Sequence, residues 1–265
     1  VQALPAAPQE IVAPPGWRRI DFISDLHLSQ DTPATFAAWR AYLLHSQADA
    51  IFILGDLFEA WVGDDARAEG FEAQGAAVLS AAASRRPLFF MVGNRDFLLG
   101  PQMLAACGVA GLADPSVLCA FGERALLTHG DAWCLADLEY QQFRRQVRDP
   151  QWQAQVLARP LAERRQMAHH LRSESEKSAS EHAGAWADVD LPTALAWLDR
   201  SGSATLVHGH THRPGSAVIG PGTTRHVLSD WDLDHVHGPA RSEVLRWEPG
   251  HWTRLAPANA SDAAR

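Results

Sequence analysis

Five short apolar runs, at residues 20–24, 50–54, 88–92, 125–128 and 205–208, recur along this chain of 265 residues, and each delivers polar groups at its carboxyl end. Runs of that length bounded by turn residues predict buried strands. Between the first two, Asp31-Thr32-Pro33 supplies cap candidates and a proline suited to a first helical turn, and Phe36, Trp39 and Leu43 follow at helical spacing. A second helix is expected over about 66–83, alanine-rich and carrying Phe71, Val78 and Leu79. Repeated strand, helix, strand units imply an α/β fold with a largely parallel central sheet. In such sheets ligands bind beyond the carboxyl ends of the strands.

From 138 to 187 the pattern turns to continuous helix, with Tyr140, Phe143 and Val147 on one face and Leu157, Leu161 and Met167 after Pro150. Arg144, Arg145, Arg148, Arg159, Arg164, Arg165, Arg172 and the single lysine, Lys177, crowd here. Each alone reads as solvated surface. Together they make a cationic, amphipathic insert that suits an anionic lipid or membrane surface. Short runs at 217–219, 224–228, 242–247 and 252–255, separated by Gly-Pro-Gly, Gly-Pro and Pro-Gly, predict hairpins of a second sheet. The expectation is two packed sheets flanked by helices, with core 18–137 and 188–255, helical cap 138–187, a flexible leader 1–17 and a loose tail 256–265.

The net charge of -8 argues against a general nucleic-acid groove. The leader lacks the cationic start and apolar centre of a secretory signal, and no run approaches the roughly 18 apolar residues of a membrane span. Cys107, Cys119 and Cys134 read as free thiols in a reducing compartment. A cytoplasmic protein is expected, without an obligate protein partner.

Chemistry enters at the strand ends: Asp25-Leu26-His27, Gly55-Asp56, Gly93-Asn94-Arg95-Asp96, His129-Gly130-Asp131 and Gly209-His210-Thr211-His212. Asp25 with His27, and His210 with His212, stand at the spacing where an extended chain points both side chains the same way. Asp56 has two oxygens with which to bridge two cations, Asn94 an amide oxygen and His129 an imidazole. Any one of these is commonplace, but seven at successive strand ends indicate metal. Structural zinc would want cysteines in these motifs. The mixed nitrogen and oxygen set suits a pair of Mn, Fe or Zn ions.

In this order the motifs resemble the calcineurin-like metallophosphoesterases, over residues 20–212. The resemblance implies a two-sheet αββα sandwich with a helical cap insertion. It implies Asp25, His27, Asp56 and His212 around one metal, Asp56, Asn94, His129 and His210 around the other, and hydrolysis by a metal-bridging hydroxide aimed in line at phosphorus. Arg95 departs from most of that superfamily, where a histidine protonates an alkoxide leaving group. A phosphate monoester, with a second pKa of about 6, leaves without a proton, and a forked, permanently charged arginine holds phosphates. Arg95 therefore favours a pyrophosphate over an alkyl ester.

The longer strings Gly93 to Gly100, Leu54 to Asp65 and His208 to Pro214 are similar to the UDP-2,3-diacylglucosamine pyrophosphatase family of lipid A biosynthesis. That resemblance implies two Mn2+ ions, attack on the phosphate next to uridine, and release of UMP and 2,3-diacylglucosamine 1-phosphate. It implies catalytic roles for Asp56, Asn94, Arg95 and His210, and substrate contacts from Asn94, Arg95, Asp137, Ser175 and His210 under a cap with room for two acyl chains. It also implies a peripheral position on the cytoplasmic face of the inner membrane. Ser175 reads equally as surface, and Asp137 equally as a helix cap. Ala179 and His182 stand where relatives carry an asparagine and a lysine, and a protonated His182 is a candidate phosphate contact.

The remaining polar residues take plainer roles. His169-His170 is expected at the surface, His208 beside the site, and Asp96 and Asp131 fix loops or orient ligands. Asp230, Asp232, Asp234, His235 and His237 read as loop residues, and the ten tryptophans as packing. The rivals are another dinuclear phosphoesterase acting on nucleotides, phosphoproteins or DNA ends, and a non-catalytic scaffold of the same fold. The scaffold's mark is loss of ligands, and all seven are present.

Overall fold

The computed structural model describes residues 7–181, 187–236 and 238–261, with the backbone alone for 173–181. The first half runs β1 (Gln9–Val12), β2 (Ile20–Ile23), α1 (Pro33–His45), β3 (Ala50–Leu54), α2 (Gly70–Ala83) and β4 (Leu88–Met91). Then come α3 (Pro101–Cys107), β5 (Ala110–Gly111), β6 (Ser116–Ala120) and β7 (Glu123–Thr128). The insert is α4 (Leu138–Val147), α5 (Pro150–Leu157) and α6 (Leu161–Glu181), and α7 (Leu191–Ser201) follows it. The chain closes with β8 (Thr205–His208), β9 (Gly215–Gly220), β10 (Thr223–Val227), β11 (Val244–Glu248), β12 (His251–Leu255) and α8 (Pro257–Ser261).

The apolar runs are continuous because their strands are covered on both faces. Ala50, Phe52 and Leu54 of β3 face the second sheet, where they meet Leu118, Leu127 and Val207, while Ile51 and Ile53 pack under Trp39, Leu43 and Leu79 of the helices. On the other side Leu126 and Leu206 pack against Trp197 and Leu198 of α7. The layers are therefore helix, sheet, sheet, helix. One sheet has the order β12-β11-β2-β3-β4-β5 and the other β1-β6-β7-β8-β10-β9.

Several expectations need correction. The five strands are not one sheet: β2, β3 and β4 are parallel neighbours in the first, β7 and β8 in the second. The two late hairpins are likewise divided. β10 extends the second sheet beside β8, and β11 extends the first beside β2. Alternation within a hairpin does not encode which sheet edge it extends. Within the supposed leader, β1 pairs in parallel with β6, and Ile11 packs on the core between the sheets. Within the supposed tail, α8 docks Ala260, whose carbonyl accepts from Arg246 Nη2 at 2.9 Å. The helix expected over 66–83 is a 3-10 turn at Asp64–Ala68 followed by α2, broken where Gly70 takes φ 63°. Among the described residues no helix is long and apolar enough to cross a membrane.

Candidate metal centre

Although two sheets supply them, the seven expected ligands converge. Asp25 and His27 follow β2, Asp56 follows β3, Asn94 follows β4, His129 follows β7, and His210 and His212 follow β8. Asp25, His27, Asp56, His210 and His212 have φ of 55°, 49°, 53°, 65° and 50°. They are five of the seven non-glycine residues with positive φ among those described. The Asp25–His27 and His210–His212 pairs thus meet through left-handed turns, not the extended chain expected. Such backbone is costly without glycine, and it persists where the surroundings impose it. Here the imposition is visible: a Cβ on Gly93 would stand 2.1 Å from Asp56 Oδ1, and one on Gly209 2.3 Å from Asp25 Oδ2.

His27 Nε2 and His212 Nε2 lie 3.2 Å apart, with Asp25 Oδ1 3.5 Å from the latter and Asp56 Oδ2 4.0 Å from the former. Asp56 Oδ2 is also 3.7 Å from His129 Nε2. Asn94 Oδ1 is 2.9 Å from His129 Nε2 and 2.8 Å from His210 Nδ1. Asp25 belongs to two clusters of candidate ligands, one with His27 and His212 and one with Asp56 and His129.

His129 provides the test of whether a cation fits. Its Nδ1 is 2.8 Å from the Leu54 carbonyl, which can only accept, so the hydrogen is assigned to Nδ1. In the neutral ring Nε2 then holds a lone pair, and it faces another acceptor, Asn94 Oδ1. Positive charge belongs at that place, a proton on Nε2 when the ring is charged or a cation beside the two acceptors when it is neutral. The electrostatics agree. Burial disfavours charge on His129, yet Asp56, Asp25 and Asp131 push its pKa up to about 9. Burial and the charge of His129 hold His210 down to about 3. Burial opposes ionisation of Asp25 as well, but the hydrogen bond and charge of His212, with His129 and His27, hold it far below the carboxylate range. The donor set therefore fits divalent cations.

Asp96 performs the loop-fixing role expected of it. Its carboxylate accepts from the amides of Leu57 at 2.8 Å and Gly93 at 2.7 Å, tying the loops after β3 and β4 together. The Arg95 amide donates to Asp56 Oδ1 at 2.8 Å. Asp131 accepts from Tyr140 Oη at 2.6 Å and Arg144 Nε at 2.8 Å, and the Tyr140 ring lies 5.6 Å from that of His210. His208 is buried and accepts from Arg225 Nε at 2.8 Å.

Sequence reasoning missed three contributors. Asp230 is not a mere loop residue: its Oδ2 lies 3.5 Å from His212 Nδ1, and it pairs with Arg241. Asp234 caps α1, accepting from the amides of Ala34 and Thr35 at 2.8 Å. Glu59, three residues past Asp56 in the loop after β3, lies 3.0 Å from His27 Nδ1 and within 3.5 Å of Arg95 and Arg172. Burial resists its ionisation, but His27, Arg95 and Arg172 lower its pKa to about 2.

The cap stands over this edge and encloses a cavity of about 760 Å3, apolar along Trp61, Phe97, Phe143, Trp152 and Met167. Asn94, Arg95, Asp137 and His210 line its metal end. Asp137 also caps α4, accepting from the Tyr140 amide at 2.9 Å. The side chain of Ser175, that of Ala179, and His182 and His237 entirely, lie outside the described residues.

A family model, calcineurin-like phosphoesterase, matches residues 18–214. The UDP-2,3-diacylglucosamine hydrolase of Chromobacterium violaceum is 46% identical over 221 residues, 80% of this chain and 90% of that one. Proteins of the same name from Aromatoleum aromaticum, 42% identical over 86% of this chain and 92% of that one, and Bordetella pertussis, 43% over 82% and 86%, are similar to it. Family membership brings divalent metal ions and phosphoester chemistry to a site whose geometry already calls for cations. The fold, the convergent ligands and these matches agree that the chain belongs to the calcineurin-like phosphoesterase family, in its UDP-2,3-diacylglucosamine hydrolase branch.

Proposed function

We propose that this enzyme cleaves the pyrophosphate of UDP-2,3-diacylglucosamine to UMP and 2,3-diacylglucosamine 1-phosphate, with two Mn2+ ions. Asp25, His27, Asp56 and His212 would hold one ion, and Asp56, Asn94, His129 and His210 the other. Such a pair supplies a nucleophile from water near neutral pH and charge to offset that gathering at phosphorus. The observation that carries the reading is the convergence of carboxylate, amide and imidazole groups, with His129 Nε2 2.9 Å from Asn94 Oδ1, at the end of an apolar cavity.

The residues divide the work. Asp56 is held by the Arg95 amide at 2.8 Å, so the central carboxylate is fixed before substrate arrives. The Arg95 guanidinium, a quarter exposed at the cavity's polar end, binds the phosphates as a fork and balances the departing sugar phosphate. The aromatic walls exclude water and take the acyl chains, which bury apolar surface at about 25 cal/mol per Å2. Asp137, at the same end, is placed to accept from the sugar or nucleoside. Leu135 and Leu138, 44% and 75% exposed beside this mouth, give the rim an apolar face for peripheral contact with the inner membrane.

The test is 31P-resolved hydrolysis of the lipid nucleotide by metal-stripped protein, with and without Mn2+, beside a nitrophenyl phosphodiester. Mn-dependent UMP release with little turnover of the diester is expected. Turnover of the diester alone would retain the metal centre and discard the lipid substrate.

A further inference from the structure

Glu59 belongs to neither ligand set, yet it touches both the metal centre and the cap. It is 12% exposed, in the loop after β3. Its Oε2 lies 3.0 Å from His27 Nδ1, while Oε1 lies 3.5 Å from Arg95 Nη1 and 3.4 Å from Arg172 Nε. His27 and Arg95 come from the core, Arg172 from α6. The start of α6 is anchored separately: Arg164 pairs with Asp65 and donates to the Val62 carbonyl, and Arg165 pairs with Glu69. Arg172 stands roughly 12 Å further along the helix at 1.5 Å per residue.

We propose that Glu59 is a positioning residue that couples metal occupancy to the seating of the cap, one oxygen steering the His27 ring and the other holding α6 through Arg172. The 3.0 Å contact lies off the axis of the Nδ1–H, which has no aligned partner although it is buried. The His27 and His212 Nε2 atoms face each other at 3.2 Å. With a cation bound at Nε2, the polarised His27 ring would donate more strongly from Nδ1–H to Glu59 Oε2, and so hold the carboxylate that Arg172 approaches at 3.4 Å. The coupling is reciprocal, so a seated cap also favours the metal.

This rests on the metal reading above, and its test separates the two. Metal-stripped full chain is titrated with Mn2+ by calorimetry, and hydrogen exchange is followed over residues 161–172 with and without the ion. Glu59→Ala should weaken Mn2+ binding by roughly 10–100-fold, as loss of a ligand-orienting carboxylate does. Glu59→Gln keeps an oxygen for His27 but loses the charge for the arginines. It should bind Mn2+ close to normally, while the slowing of exchange that Mn2+ causes in the unaltered chain, about fivefold or more, disappears. Normal Mn2+ affinity in Glu59→Ala, or full slowing of exchange in Glu59→Gln, overturns the proposal. An unaltered chain that takes up no Mn2+ sinks the metal reading itself, and the coupling with it.

Discussion

Replacing Gly93 by alanine isolates one steric relation at the centre of the site. Gly93 has no left-handed φ, so the substitution carries no backbone penalty there. What it meets is Asp56: the added Cβ would stand 2.1 Å from Oδ1, 2.5 Å from the amide nitrogen and 2.8 Å from Cγ, where ordinary contact begins at 3.4 Å. The carboxylate must retreat by about an ångström, and the backbone atom in the set means that a rotamer change cannot absorb it. Misplacing a reacting group by ~1 Å costs on the order of 100-fold in rate, about 2.7 kcal/mol in the barrier. The accompanying overpacking costs about 1–3 kcal/mol of stability, within the roughly 5–15 kcal/mol that keeps a domain folded. Gly93→Ala should therefore purify folded, with a reduced urea midpoint, and show kcat/KM for UMP release lower by about 100-fold or more. Gly16→Ala, with nothing within 4 Å of its new Cβ, is the neutral control. Unchanged kcat/KM in Gly93→Ala would refute the claim that the position of Asp56 is what the glycine protects.

Three further outcomes follow from the same geometry. Asp56→Ala should abolish turnover and calorimetric Mn2+ uptake while circular dichroism stays native; persistent turnover would end the dinuclear reading. Arg95→Ala should lower kcat for the lipid nucleotide by about 100-fold or more, as loss of one charge-stabilising donor does, and an unchanged kcat would show that the missing histidine was misread. His226, buried and beside Arg254, has its pKa pushed from 6.5 down to about 4. The unfolded chain therefore takes up a proton that the folded chain refuses, so this stability is complete above pH 6.5 and is lost as pH falls toward 4. His226→Phe keeps a ring over Trp252 but should flatten the pH dependence of the urea unfolding free energy by ~2 kcal/mol between about pH 6.5 and 5; an unaltered slope would remove His226 from the account.

The fold was legible where burial on both faces writes a continuous apolar run, as in Ala50–Leu54, which appears with the expected ends. It was not legible where a strand borrows its stability from an edge. Gln9–Val12 is mostly exposed and carries no pattern of its own, and only the free backbone of β6 makes it a strand. The convergence of the seven candidate ligands was legible because few side-chain types suit a metal, and these recur at successive strand ends. Their backbone was not, since an Asp-x-His read as extended chain is equally compatible with the two left-handed residues observed. The signal that could have flagged the turn is the glycine on the facing strand end: Gly209 lies against Asp25, and Gly93 against Asp56.

The arginines of the cap show how a composition argument can select the right segment and misjudge its physics. Counted along the sequence, they suggest a cationic face turned to a lipid surface. In the structure most of them are turned inward. Arg164 is 4% exposed and holds Asp65, Arg144 holds the buried Asp131, and Arg148 donates to the Gly93 carbonyl at 2.9 Å. Arg165 and Arg172 reach Glu69 and Glu59. A guanidinium engaged with a carboxylate contributes little to the field outside, and what remains is screened within about 8 Å at physiological salt. Arg145 and Arg159 stay exposed, as do Leu138 and Leu157, and these leucines supply apolar area. The positive charge of the insert thus serves chiefly to fasten a cap to an acidic core. On the proposed function, contact with a lipid surface would fall to the apolar rim, at the mouth through which an acylated substrate would pass.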